Sequence, residues 1–158
     1  MGSLPSEQRM NVSILLALRN QSELTRLLSR LYDPSSPDYH QFLSVEQFAE
    51  EFAPAPEDYQ AVVDFVRANG LTVTDAPANR MIVPVSGSVA QVEKAFNVRM
   101  NTYRHPTENR TFYSPDREPS LDLKVQVAHI AGLNNFSLPR PLVKAATTQS
   151  AVNSAVVG

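Results

Sequence analysis

The chain has 158 residues, which suits one ordinary domain or at most two small ones. With 42% hydrophobic and 19% charged residues it is too apolar for a disordered chain, and its net charge of −2 provides no basic field for nucleic-acid phosphates. Zero Cys excludes disulfides and thiolate chemistry, and no apolar run approaches the roughly 18 residues of a membrane-spanning helix. We therefore predict a folded domain with no nucleic-acid partner and no membrane partner.

The N-terminal part of the chain predicts a strand followed by a helix. Residues 12–18 alternate apolar and polar side chains with period 2, as a half-buried strand does. The leucines within residues 24–31 have the spacing of one helical face. Asn20 and Glu23 are spaced as an N-terminal capping box, and Pro34 requires the helix to end before it.

Two further helices are predicted after a proline-rich connector at residues 32–39. Ser44 and Gln47 have capping-box spacing ahead of a short amphipathic helix. Pro56 suits the first turn of the next helix because its missing N–H is not needed there. Gly70 supplies the left-handed end of that helix.

Two β segments and a fourth helix follow. The β segments cover residues 71–74 and 81–85, and Pro84 favours an edge position or a bulge for the second because proline cannot donate to a ladder. Ser88 and Gln91 have the spacing of a capping box and predict the start of the fourth helix.

The last three predicted strands complete the order of elements along the chain. Residues 98–103 and 111–113 predict a hairpin, and residues 121–127 alternate as a last strand. The order of strand, helices, two strands, helix and strand is typical of an α+β, ferredoxin-like split βαβ sandwich, with an antiparallel sheet and helices on one face. The fold alone implies no function.

The composition changes near the C-terminus. Pro139-Arg140-Pro141 is followed by small and β-branched residues with no periodicity. We therefore place the domain at residues 1–137 and an extended linker at residues 138–158. The proline-rich start favours a stiff spacer, and an inhibitory plug is the alternative. The linker residues assigned to the processing region are Leu138, Arg140, Leu142 and Lys144.

No catalytic or metal-binding pattern is found in the sequence. His40, His105 and His129 fall in a connector, a turn and a late β segment, without the i, i+4 spacing of a helical metal site. Neither a glycine-rich phosphate loop nor a Gly-x-Ser-x-Gly elbow occurs. Adjacent acids such as Glu50-Glu51 point about 100° apart on a helix and are more typical of a solvated face. We assign no catalytic residue, no metal and no cofactor.

An ordered series of motifs extends along most of the chain. It begins with Asp33-Pro34-Ser35-Ser36-Pro37-Asp38-Tyr39, Phe42-Leu43-Ser44, Phe52-Ala53-Pro54 and Ala95-Phe96. It continues with Tyr103-Arg104-His105, Phe112-Tyr113 and Ile130-Ala131-Gly132-Leu133. Over about residues 4–133, this series resembles the activation domains of sedolisins, the kumamolisin-like serine-carboxyl peptidases.

The resemblance implies a ferredoxin-like propeptide of a secreted peptidase, with the signal peptide absent from this chain. Such a domain would assist folding of its cognate peptidase domain, inhibit it, and be removed autocatalytically in acid. The family's catalytic Ser, Glu and Asp and its calcium site lie in the mature domain, and no residue here matches them. We therefore expect no enzymatic activity from this chain. The residue patterns alone leave open a free-standing ferredoxin-like regulatory binding domain.

Partner contacts are predicted on the hairpin and the last strand. One face of a hairpin must be solvated or meet a partner, which favours Tyr103, Phe112 and Tyr113, and His129 is included with them. Cleavage is predicted within residues 144–158. Near pH 4 the net charge rises to about +9 with unperturbed pKa values, so we expect the complex to loosen in acid.

The connector together with the residues after it, 33–43, has two interpretations. It is either an interface loop or a packed link between helices, held by Tyr39, Phe42 and Leu43. The sequence does not separate the two.

Overall fold

The structure, a computed structural model, describes residues 2–138. Within this range the strands are β1 (Gly2–Ser3), β2 (Arg9–Leu16), β3 (Thr72–Val73), β4 (Ile82–Ser88), β5 (Met100–Arg104), β6 (Thr111–Pro115) and β7 (Val127–Ala131). The helices are α1 (Gln21–Leu31), α2 (Val45–Glu51), α3 (Pro56–Ala68) and α4 (Val89–Phe96). No helix in this part of the chain combines the length and apolarity needed to cross a membrane.

The larger sheet has the strand order β3-β4-β2-β7, with every neighbouring pair antiparallel. Its central strand β2 pairs with β4 in the register Val12↔Val85 and with β7 in the register Ile14↔Ile130. Helices α1 to α3 connect β2 to β3, and α4 follows β4. This split βαβ order confirms the predicted α+β ferredoxin-like fold.

The hydrophobic core lies between this sheet and helices α3 and α4. Alternate residues of β2 are buried, as its period-2 pattern predicts. The helices contribute valines and an aromatic ring spaced along one face. Fully or nearly fully buried members of this core include Val12, Ile14, Leu16, Val62, Val66, Val83, Val85, Val92 and Phe96. The opposite face of the sheet is not covered by these helices.

Two of the three predicted capping boxes are confirmed. The Ser44 hydroxyl accepts the Gln47 N–H at 3.2 Å, and the Gln47 side chain accepts the Ser44 N–H at 2.8 Å. Ser88 and Gln91 make the same reciprocal pair at the start of α4. In both cases two backbone donors that the helix leaves unpaired are satisfied locally.

The capping box predicted at Asn20 is wrong. Asn20 adopts a left-handed conformation with φ 50° and makes no side-chain cap. Its amide nitrogen instead donates to the Glu51 carbonyl at 2.9 Å, and Arg19 Nε donates to the Ala53 carbonyl at 2.5 Å. The start of α1 is therefore fixed by contacts with the end of α2, which no local pattern encodes.

The edge position predicted from Pro84 is also wrong, because β4 lies between β3 and β2. The Pro84 carbonyl accepts the Thr74 N–H at 2.9 Å. Because the N–H and C=O of one strand residue point to the same side, the missing N–H of Pro84 faces the end of the short edge strand β3. An inner strand tolerates proline here because its missing donor faces Thr74, just past the two residues of β3.

The last strand lies later in the chain than predicted. Residues 121–127 alternate in sequence, yet β7 spans Val127–Ala131. Leu121, Leu123 and Val125 are partly buried and pack against the core without belonging to a strand. Alternating apolar and polar residues indicate that one side of a segment is buried. A segment that lies along the core without pairing as a strand shows the same alternation.

We expect the Phe96→Ala substitution to destabilise the domain by about 3–5 kcal/mol, because it removes a ring that is 0% exposed in the core. Phe42→Ala is the matched control, since that ring is 62% exposed, and it should change stability by less than about 0.5 kcal/mol. Urea unfolding followed by circular dichroism measures both. Equal losses for the two variants would contradict the core described above.

Candidate functional site

Tyr103 and Phe112 form one outward-facing aromatic pair. They are directly opposite each other on β5 and β6, and their ring centroids lie 5.4 Å apart in a stacked arrangement. Tyr103 is 36% exposed. The hairpin therefore brings two of the predicted interface residues together as a cross-strand pair.

Tyr113 lies on the other face of the hairpin, partly buried against the core. Its N–H donates to Asn135 Oδ1 at 2.7 Å, and its hydroxyl donates to the Gly132 carbonyl at 3.5 Å. These bonds attach the hairpin to the segment that follows β7. Tyr113 therefore anchors the hairpin, which forms a second, three-stranded sheet with β1, to the segment that follows the larger sheet.

His129 lies on the larger sheet, away from the hairpin strands. It is exposed and stands opposite Leu15 in the β2–β7 register. Leu15 is in turn opposite Ile82, which is 36% exposed. The predicted interface residues are therefore distributed over two sheets, with His129 beside the apolar residues of the uncovered sheet face.

The chain leaves the described domain beside the hairpin. Leu138 is 51% exposed, whereas Arg140, Leu142 and Lys144 of the predicted processing region lie outside the described residues. The guanidinium of Arg110 donates to the Asn135 carbonyl at 2.9 Å and also to the Phe136 carbonyl. The last described segment, residues 132–138, is thus held by its backbone.

His105 is the second residue that holds this segment, and it is 8% exposed. Its ring stacks on Phe136 with centroids 4.6 Å apart and meets the edge of Phe112 at 5.9 Å. Its Nδ1 accepts the Glu108 N–H at 3.0 Å. The sequence indicated only a turn here, and no local signal pairs Arg110 or His105 with residues some 25 to 30 positions later.

The connector between α1 and α2 exposes its aromatic residues. Phe42 is 62% exposed and Tyr39 is 39% exposed, so the two rings do not hold a packed link. The Tyr39 and His40 rings stack with centroids 3.8 Å apart, and His40 lies 6.0 Å from Phe42. Of the two interpretations of the connector, the structure is more consistent with a surface loop.

Asp116 closes the far end of the hairpin. Its carboxylate accepts hydrogen bonds from the Arg117 side chain and from the Arg99 N–H at 2.8 Å, and these partners hold the pKa of the Asp116 carboxyl below its usual range. The backbone bond from the Asp116 N–H to the Arg99 carbonyl completes the closure. Among residues 2–138, no group of three or more His, Asp or Glu side chains is arranged to hold a metal ion.

Comparisons with known proteins give a consistent result. A family model described as "Pro-kumamolisin, activation domain" matches residues 1–136. Sedolisin from Pseudomonas sp. (strain 101) is 28% identical over 141 residues, which cover 89% of this chain and 24% of that protein. Kumamolisin from Bacillus sp. (strain MN-32) is 25% identical, over 89% of this chain and 25% of its own length. Tripeptidyl-peptidase 1 from Mus musculus is 26% identical, over 89% and 26%. The chain spans about a quarter of the length of these three relatives.

Gly132 sets the path of the chain after β7, with φ +94°. A Cβ there would lie 2.4 Å from the backbone carbonyl oxygen of Asn11, whereas a Cβ at Gly70 (φ +80°) would meet only the flexible Gln91 side chain. We expect Gly70→Ala to destabilise by about 1–2 kcal/mol, the usual strain of the left-handed region, and Gly132→Ala to destabilise by more. Chemical denaturation of both variants gives the comparison. An equal loss for the two would show that the approach to Asn11 relaxes freely.

Asp116→Asn tests the hairpin closure through pH. Because the folded-state pKa of Asp116 is lowered, its charge stabilises the fold above the unfolded pKa of about 3.9, and this contribution is lost as pH falls through the lower folded value. The wild-type chain should therefore melt above the variant at neutral pH, and the gap should close in strong acid. Thermal unfolding across that pH range measures it; a gap that persists below the carboxylate range would contradict the assignment.

Proposed function

Because the chain belongs to the pro-kumamolisin activation-domain family and is the activation domain rather than the catalytic domain, we propose that it acts as the propeptide of a secreted sedolisin-type serine-carboxyl peptidase. It assists folding of the cognate peptidase domain, inhibits it, and is removed autocatalytically at low pH. The family match over residues 1–136 carries this proposal. The chain matches only about a quarter of each relative, which supports a peptidase domain as its partner.

The docking surface we propose is the exit surface, formed by Tyr103, Phe112, Phe136 and Leu138. Tyr103, Phe136 and Leu138 are 36%, 44% and 51% exposed. Adjacent exposed apolar side chains are characteristic of partner contacts, and aromatic rings carry much of the energy in such contacts. His129, on the uncovered face of the larger sheet, extends the predicted contact beyond the hairpin.

We infer that the linker takes part in inhibition, which is the alternative to a stiff spacer. The described chain ends at Leu138 beside the aromatic pair, so a peptidase bound there lies next to the start of the linker. Docking of the folded domain makes the entry of the linker into the cleft an intramolecular step with a high effective concentration. The same docking energy stabilises the folded peptidase, since anything that binds only the native state shifts folding toward it. One interface thus supports both inhibition and assistance in folding.

We infer that acid release depends on carboxylates around the exit surface that pair with cations of the peptidase. A carboxylate that gains a cationic partner in the complex has a lowered pKa, so its contribution to binding is present at neutral pH and is lost as pH falls through that value. The whole chain also becomes strongly cationic near pH 4. Both effects weaken binding in acid, and cleavage is expected within residues 144–158.

A free-standing binding domain would need a ligand pocket between the helices and the sheet. That space is filled by core side chains, among which Val62, Val92 and Phe96 are 0% exposed. The structure therefore gives this alternative less support than the propeptide role. Inhibition measurements distinguish the two.

We expect the purified chain to inhibit a sedolisin-type peptidase in trans near neutral pH and to lose that inhibition near pH 4, with cuts in the linker detected by mass spectrometry. Tyr103→Ala should weaken inhibition by about tenfold to a hundredfold, the range for an aromatic residue at the centre of an interface. Phe42→Ala removes a ring that is more exposed than Tyr103, at 62% against 36%, but lies outside the exit surface, and it should leave inhibition unchanged.

Two outcomes would overturn these assignments separately. An absence of inhibition at any pH, together with an intact linker, would contradict the propeptide role. Inhibition that survives Tyr103→Ala but is lost in Phe42→Ala would keep the propeptide role and move the interface to the connector.

A further inference from the structure

His105 lies between the hairpin turn and the segment that leads out of the domain. It is the only buried polar or charged residue in the described range 2–138. Its ring is enclosed by Phe112 and Phe136, and the hollow around it is also lined by Pro106 and Ser137. A titratable ring is therefore in direct contact with the residues from which the linker continues.

The hydrogen bonds of His105 require one protonation state. Nδ1 accepts the Glu108 N–H at 3.0 Å and lies 3.4 Å from both the N–H and the hydroxyl oxygen of Thr107. The hydroxyl can donate or accept, but the two backbone amides can only donate. The closed arrangement therefore needs an unprotonated Nδ1, and a proton there would face two N–H groups. Histidine is the side chain that gains its proton between neutral and mildly acidic pH.

Charged residues lie close to His105 in the sequence. Glu108 and Arg110 follow it in the turn, Glu108 also lines the same hollow, and Arg104 precedes it on β5. Arg110 Nε donates to the Glu108 carboxylate at 2.5 Å while its other nitrogens hold two carbonyls of the exit segment. Residues 132–138 carry no charged side chain. An imidazolium at position 105 adds a positive charge to the turn that also carries Arg110, whose guanidinium holds the segment.

We propose that His105 is a proton-controlled clamp on the exit of the linker. Unprotonated, it fixes the turn, stacks on Phe136 and keeps residues 132–138 on the hairpin. Protonated, it loses both amide donors, the turn rearranges, and the segment leaves the hairpin. The open state binds the additional proton, so acid shifts the equilibrium toward it. The role of this clamp in activation rests on the proposed function, whereas the clamp itself is a property of this chain alone.

The test uses the full chain without a peptidase, so its outcome is independent of the proposed inhibition. The chain contains no Cys, and Ser137→Cys therefore provides a single site for a nitroxide label beside His105. Electron paramagnetic resonance should show an immobilised label at about pH 7.5 and a mobile one at about pH 5, the range over which histidine titrates. The ratio of mobile to immobilised label should rise by up to about tenfold per pH unit, the limit for one linked proton.

His105→Asn in the labelled chain removes the titration, and its side-chain oxygen offers an acceptor near the position of Nδ1 that does not gain a proton in this range. Label mobility in this variant should not depend on pH, whatever its level. His40→Asn is the matched control: residue 40 has φ 58°, which Asn tolerates, and this variant should respond to pH as wild type does. The proposal would be overturned if label mobility did not depend on pH in the labelled chain with His105 intact. It would also be overturned if the pH midpoint of label mobility were unchanged in His105→Asn. Circular dichroism at both pH values confirms that each variant is folded.

Discussion

Strand β2 determines where the functional parts of this domain lie. It pairs with β4 on one side and β7 on the other, and its alternate residues form the floor on which α3 and α4 pack. Because side chains alternate with period 2, a slip of one residue in either pairing would turn this apolar set outward. The register is thus strongly specified by burial, and it fixes the point at which β7 ends.

The exit of the chain follows from that register. Directly after β7, Gly132 passes over the backbone of Asn11 on β2, at a distance that leaves no room for a Cβ. The segment then reaches the hairpin, where Tyr113 and Arg110 bind its backbone and the side chain of Asn135. The central strand therefore sets the direction in which the linker starts, through the approach of Gly132 to Asn11 and the hydrogen bonds between the exit segment and the hairpin. A partner bound at the exit surface meets the linker at a defined place.

The sequence predicts features that depend on local patterns. Burial periodicity located β2, the four helices and the hairpin, and the Ser44 and Ser88 caps form as their spacing indicates. The register of that hairpin, which the sequence did not predict, pairs Tyr103 with Phe112 and turns Tyr113 to the other face. Contacts between distant segments were not predictable, because no local sequence pattern accompanies them. Examples are the hydrogen bonds from Arg110 to the exit segment and from Asn20 to the Glu51 carbonyl. The burial of His105 belongs to this second class, since it depends on a ring that arrives from the end of the domain.

Two proton-sensitive groups, His105 and Asp116, lie at opposite ends of the hairpin. The Asp116 carboxyl, whose pKa is lowered by Arg117 and the Arg99 amide, keeps its charge further into the acid range. Asp116 closes the end of the hairpin opposite the turn, where β5 begins and β6 ends. Among residues 2–138, the proposed clamp at His105 and this closure share no hydrogen bond, so opening of the clamp leaves the Asp116 contacts in place. Release of the linker and opening of the hairpin at Asp116 are therefore separate events.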